Sequence, residues 1–166
     1  MAQQSSFDVT TGADLQEVDN AVNQATKEIQ TRYDFKGAKC SIAFDRSKAV
    51  LDLEADDDYR LKAMVDVLQT KLVKRGVPLK NLKYGEVDPA SGGRVRQQIT
   101  LQQGIPTDTA REIVKAVKAQ GFKKVQVAIQ GDELRVSSPS KDELQTVMQF
   151  LRGSDFGVEL KFGNYR

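Results

Sequence analysis

Leu160-Lys161-Phe162-Gly163 repeats, in the same chemical terms, Leu82-Lys83-Tyr84-Gly85. Ahead of each ending lies the same apolar stripe: Leu61, Met64, Val65 and Leu68 in one half, Leu144, Val147, Met148 and Leu151 in the other. Further back stand Leu51 and Leu53, and Leu134 and Val136, alternating as half-buried strands do. Gly37 and Gly121 mark the same point after the first helical stripe of each half. Generic amphipathic patterning could match a spacing by chance, but a shared ending joined to a shared element order reads as duplication. Each unit is strand, helix, strand, strand, helix, strand. That order is the ferredoxin-like split βαβ motif, an α+β fold with both helices on one face of an antiparallel sheet. A chain of 166 residues fits two such units of about 80 each.

The elements follow from periodicity and punctuation. Phe7 and Val9 alternate in a first strand over 6–11. Asp14 and Glu17 read as a capping box for a helix that carries Leu15, Val18, Val22, Ala25 and Ile29 to about Tyr33. Asp45-Arg46-Ser47-Lys48 turns one hairpin and Gln130-Gly131-Asp132 another. Asp56-Asp57-Asp58 lacks the spaced oxygens, central glycine and closing glutamate of a calcium loop, and reads as a helix cap. The strand over 94–103 alternates Val95, Gln97, Ile99 and Leu101 with a polar outer face of Arg94, Arg96, Gln98, Thr100 and Gln102. Pro106 with Thr107 or Asp108 starts the third helix, and Ser138-Pro139-Ser140 with Glu143 caps the fourth as a second box. Leu79 to Tyr84 predicts a short strand ending at Gly85, 86–93 a linker, and Val158, Leu160 and Phe162 a last strand.

Composition narrows the function. The net charge is only +2, so a site for a polyanion must come from local clustering. There is no histidine, which removes the commonest general acid/base and metal ligand. Ser5-Ser6, Ser137-Ser138 and Cys40 therefore lack a histidine partner, and no phosphate-binding or dinucleotide glycine loop occurs. The chain is expected not to be an enzyme and to need no cofactor or metal. A lone cysteine, no membrane-length apolar run and an N-terminus without a signal pattern point to the cytoplasm.

Arg32-Tyr33-Asp34-Phe35-Lys36-Gly37 alternates aromatics with cations before a glycine. It is either a helix end with core aromatics or a binding motif in which aromatics stack a base and cations meet phosphates. Arg32 and Lys36 would share a helix face only if the helix ran on to Lys36. Phe35 is the residue expected in the core rather than as a platform. The equivalent stretch of the other half, Ala116 to Gly121, keeps the glycine and has no aromatics.

Five pieces in order, Ser6-Phe-Asp-Val, Asp14-Leu-Gln-Glu-Val, Arg32-Tyr-Asp-Phe-Lys-Gly, Ile129-Gln-Gly-Asp-Glu-Leu-Arg-Val and Phe162-Gly-Asn-Tyr-Arg, make the chain resemble the YajQ family of bacterial proteins. It departs from many relatives in carrying Tyr33 for Phe and Lys36 for Arg; lysine gives up the bidentate fork for a phosphate. The resemblance implies two ferredoxin-like domains, similar to RNA-recognition modules, that exchange their first strands. The first domain would be 12–85 plus strand 94–103, the second 1–11 plus 104–166, with 86–93 as linker. It also implies nucleotide binding, with cyclic di-GMP as a candidate ligand, RNA or a regulatory protein as partner, and no membrane.

The leading expectation is a non-catalytic nucleotide-binding protein that uses Arg32, Tyr33, Phe35 and Lys36, with Arg152 and Arg166 as cations of the second half. Arg135 and Arg152 have ordinary explanations, an outward strand charge and a cation at a helix C-terminus. RNA binding is the weaker alternative, because no strand carries the aromatic-rich signature of RNA-recognition modules. A protein-interaction scaffold or chaperone-like cofactor using the open sheet faces is the other.

Overall fold

The computed structural model describes residues 3–166, which form two compact units. The first unit is Ala13–Gln102; the second joins Gln103–Arg166 to the chain up to Gly12. Each has its own apolar core.

In the first unit, α1 (Leu15–Thr31) and α2 (Asp58–Lys74) accompany strands β2 (Ser41–Asp45), β3 (Val50–Ala55), β4 (Leu82–Pro89) and β5 (Val95–Leu101). The sheet order is β2-β3-β5-β4, all antiparallel. In the second, α3 (Thr107–Ala119) and α4 (Lys141–Arg152) accompany β6 (Gln126–Gln130), β7 (Glu133–Ser138), β8 (Lys161–Gly163) and β1 (Ser5–Thr10), in the order β6-β7-β1-β8. The strand that opens the chain thus sits between β7 and β8, and the strand that precedes α3 sits between β3 and β4. Two ferredoxin-like domains with exchanged first strands are the architecture.

Alternation decides which faces are dry. Leu51, Leu53 and Ala55 are buried along β3, and Leu134, Val136 and Ser138 along β7. Phe7 and Val9 pair with Val136 and Leu134, so β1 supplies the central buried positions of the second core. The opposite faces carry polar side chains. On β1, β7 and β6 these are Ser6, Asp8, Thr10, Glu133, Arg135, Ser137, Gln126 and Gln130; on β3 and β5 they include Asp52, Glu54, Arg96, Gln98 and Thr100. An antiparallel sheet covered on one side reads in this way.

Several boundaries differ from the sequence reading. Residues 86–89 are not linker but the second half of β4, whose Asp88 and Pro89 pair with Arg96 and Val95. Pro89 is tolerated because β4 is an edge strand with no further ladder to donate to. A register shift between Tyr84 and Val87 bends it where Gly85 was expected to end it. The last strand is only Lys161–Gly163. It is prolonged past a kink at Asn164 (φ 51°) by two backbone hydrogen bonds between Arg166 and Ser6, 3.0 and 3.1 Å.

The helix starts are half as expected. Asp14 accepts from the Gln16 amide at 3.0 Å, and Ser140 from the Glu143 amide at 3.2 Å. Neither glutamate closes a box: Glu17 pairs with Arg75, and Glu143 accepts from the Lys123 amide. Asp57 caps α2 while Asp56 accepts from the Lys39 amide. The residue before α3 is Pro106, and neither Thr107 nor Asp108 caps it.

Candidate functional site

The end of α1 is where local structure and surface chemistry meet. The helix stops at Thr31, and Arg32 is already extended (φ −73°, ψ 138°). Tyr33–Phe35 then form one tight turn, closed by the Phe35 amide on the Arg32 carbonyl and the Lys36 amide on that of Tyr33, both at 3.1 Å. Gly37 follows at φ 76°, left-handed, as a chain leaving a helix end needs. A three-per-turn helix rotates side chains differently from an α-helix. Phe35 is thereby sent inward, 4% exposed, and Tyr33 outward, 89% exposed.

The expectation that Arg32 and Lys36 share one face of a continuing helix does not hold, because the helix is broken between them. They meet by another route. Both line a depression of about 490 Å³ with Tyr33, Phe35, Ile29 and Cys40. Phe35 is part of its floor. Its burial in the core of the first unit removes it as a stacking platform; the Arg32 guanidinium lies over its ring, 5.3 Å from the centroid.

The electrostatics separate the two cations. Asp34 takes Arg32 in a two-point grip, Nε to Oδ1 at 2.9 Å and Nη2 to Oδ2 at 2.7 Å. Nη1 reaches Glu28 at 3.4 Å, and Glu28 is in turn held by Lys71 at 3.0 Å. The Arg32 hydrogen bonds hold the Asp34 carboxyl below the usual range, and Lys71 does the same to Glu28. Lys36 is exposed, with no ion pair among the described residues. Asp34, which the sequence reading left out, therefore decides how available Arg32 is. Its two-residue spacing from Arg32 was the signal. Cys40 lies half-buried at the same depression, and burial pushes its thiol up, away from a reactive thiolate.

The remaining candidates belong to the second unit. Arg152 ends α4 with its guanidinium 5.2 Å from the centre of the Phe162 ring. Arg166 lines a smaller groove with Tyr165 and Lys141. Arg135 faces outward as expected, but it is not simply solvated. Its Nε donates to Asp8 at 2.9 Å, and Asn164 donates to the same carboxylate at 2.6 Å. Asp8 is only 8% exposed, and these two hydrogen bonds lower its pKa against the opposing effect of burial. No helix of the described residues is long and apolar enough to cross a membrane.

Comparison with known proteins matches residues 5–166 to the family described as nucleotide-binding protein YajQ-like. A protein of Koribacter versatilis named as nucleotide-binding is 51% identical over 162 residues, 98% of this chain and 97% of its own length. One from Geotalea uraniireducens, also named nucleotide-binding protein, is 52% identical over 161 residues, 97% and 98% of the two chains. One from Carboxydothermus hydrogenoformans, with the same name, is 51% identical over 166 residues and the full length of both. The chain belongs to the YajQ-like family.

Proposed function

We propose that this protein is a non-catalytic nucleotide-binding protein whose ligand seats at the Arg32–Gly37 turn. The carrying observation is the depression itself, which gathers an exposed aromatic, an unpaired cation and a second, partly neutralised cation at one place. Tyr33 would stack a base, a contact worth about 1–3 kcal/mol when the ring is free. Lys36 would meet the phosphate first, and Arg32 would follow by exchanging part of its grip on Asp34. Phe35 serves as floor. Relatives named nucleotide-binding proteins, alike over nearly their whole length, support the class of ligand. A cyclic dinucleotide, cyclic di-GMP in the first instance, is the candidate, and its effect would be a changed hold on a regulatory protein or nucleic-acid partner. Arg152 and Arg166 are proposed as cations that serve nucleotide binding on the second unit.

Non-catalytic action fits a chain without histidine and a pocket whose one thiol is held protonated. RNA recognition by the sheets is the weaker reading. RNA-recognition modules stack bases on aromatics of the open face, whereas Asp8, Arg135, Asp52, Glu54 and Arg96 occupy those faces here. The test is calorimetric titration with cyclic di-GMP of the unaltered protein, Tyr33→Ala and Lys36→Ala. Binding that weakens at least about fivefold in each variant is expected. No heat, or equal affinity in all three, refutes the site.

A further inference from the structure

The duplication supplies an internal comparison for a second groove. In the first unit, a hollow of about 560 Å³ between α2 and β4 is lined by Asp58, Leu61, Lys62, Val65, Asp66 and Val87, among others. In the second unit, a groove of about 300 Å³ between α4 and the tail after β8 occupies the corresponding place. The stripe alignment puts Lys141 where Asp58 stands, Leu144 where Leu61 stands and Met148 where Val65 stands. The shared ending puts Tyr165 at Val87 and Arg166 at Asp88. The apolar floor is retained, as the fold requires. The charges change: the lining Asp58 gives way to Lys141, Asp88 beside the hollow gives way to Arg166, the cation Lys62 gives way to the neutral Gln145, and an aliphatic has become an aromatic at the mouth. Packing does not demand that change, since the first unit builds the same groove without it.

The backbone that carries Tyr165 and Arg166 is also held in place. Two backbone hydrogen bonds to Ser6 fix Arg166, and the left-handed Asn164, tied to Asp8, sets the direction of the tail. Tyr165 is 61% exposed, and among the described residues its hydroxyl has only the Met148 sulfur, at 3.9 Å, as partner. Neither Lys141 nor Arg166 forms an ion pair with an acidic side chain among the described residues, and no Asp or Glu lines the groove. Gln145 adds a neutral donor and acceptor. Two unpaired cations, an exposed aromatic and an apolar floor fit an anion joined to a planar ring.

We propose that this groove is a second, separate nucleoside phosphate site, with the phosphate between Lys141 and Arg166 and the base against Tyr165. It rests on the nucleotide reading of the protein but not on the Arg32–Gly37 turn. The experiment follows backbone amide shifts of the full, isotope-labelled chain on titration with AMP, adenosine and inorganic phosphate separately. Shifts at 141–148 and 163–166 with AMP are expected, with much smaller ones for adenosine or phosphate alone at the same concentration. Tyr165→Val and Lys141→Asp install the residues of the first unit, so the groove they leave is one this fold already forms. Each should weaken AMP at least about fivefold. Shifts confined to 29–40 overturn this site and leave the first standing; shifts at 141–166 with 29–40 silent support this site and count against the first. Phosphate alone reproducing the AMP shifts, with Tyr165→Val unchanged, overturns it as well.

Discussion

Replacing Asp34 by Asn should strengthen nucleotide binding rather than weaken it. Asp34 holds the Nε–Nη2 edge of the Arg32 guanidinium at 2.9 and 2.7 Å. A phosphate that engages the same guanidinium must sit about 5 Å from that carboxylate. At water-like dielectric, two unit charges at about 5 Å repel enough to lower affinity about fourfold. Asn removes that repulsion, keeps the size and turn preference of the side chain, and, with one amide oxygen in place of two carboxylate oxygens, frees one of Nε and Nη2 as a donor. The expected gain is about four- to tenfold at low salt, shrinking toward unity at about 0.5 M, where charges are screened within a few ångströms. Arg32→Ala should cost less affinity than Lys36→Ala, because Arg32 arrives already neutralised. Calorimetry with cyclic di-GMP at two salt concentrations measures this, with thermal melting as control. The midpoint should barely move, since half-exposed ion pairs add little to stability. An Asp34→Asn protein that melts normally and binds equally or more weakly refutes phosphate capture at Arg32.

Phe35→Ala should destabilise the first unit by about 3–5 kcal/mol, the cost of emptying an aromatic site in a core. Tyr33→Ala should leave stability within about 0.5 kcal/mol; urea unfolding of both compares inward and outward members of one turn. Asp8 gives a pH dependence. Its folded pKa is depressed by Arg135 and Asn164 below the unfolded value of about 3.9. Its contribution is therefore present above pH 4 and lost as pH falls through the folded value. Asp8→Asn should lower the melting temperature at pH 7 and narrow the gap to the unaltered protein at pH 3; a gap unchanged by pH refutes the assignment.

Much of the architecture was written in periodicity, because buried faces repeat every two or three to four residues wherever they occur. Leu51, Leu53, Leu134 and Val136 announce strands locally. Strand exchange was not legible from periodicity, since Phe7 and Val9 alternate identically whichever sheet receives them. The extent of β4 was missed because Gly85 and Pro89 signal a stop in most contexts. Here a bulge absorbs the first and a free edge accepts the second. The site was legible as composition but not as geometry. Sequence could bring Arg32 and Lys36 together only by extending the helix, whereas the chain does it by tightening one turn. Asp34 and Asp8 went unweighed because their importance lies in partners that only folding reveals.

That tightened turn separates what the fold needs from what it does not. Aligned on their closing glycines, Gly37 (φ 76°) and Gly121 (φ 72°), the two units place Tyr33 opposite Val117. In the second unit α3 runs on to Ala119, and Val117 is buried at 3% in the core. In the first unit the helix breaks at Arg32, Phe35 takes over the inward role, and Tyr33 is released to the surface. A regular helix satisfies the same fold, so the break is not a requirement of packing. It costs a stretch of helical hydrogen bonding and leaves a large aromatic in water, where hydrophobic burial would ordinarily draw it in. A feature unfavourable to folding in one copy and absent from the other calls for an explanation outside folding, and the proposed stacking of a base on Tyr33 supplies one.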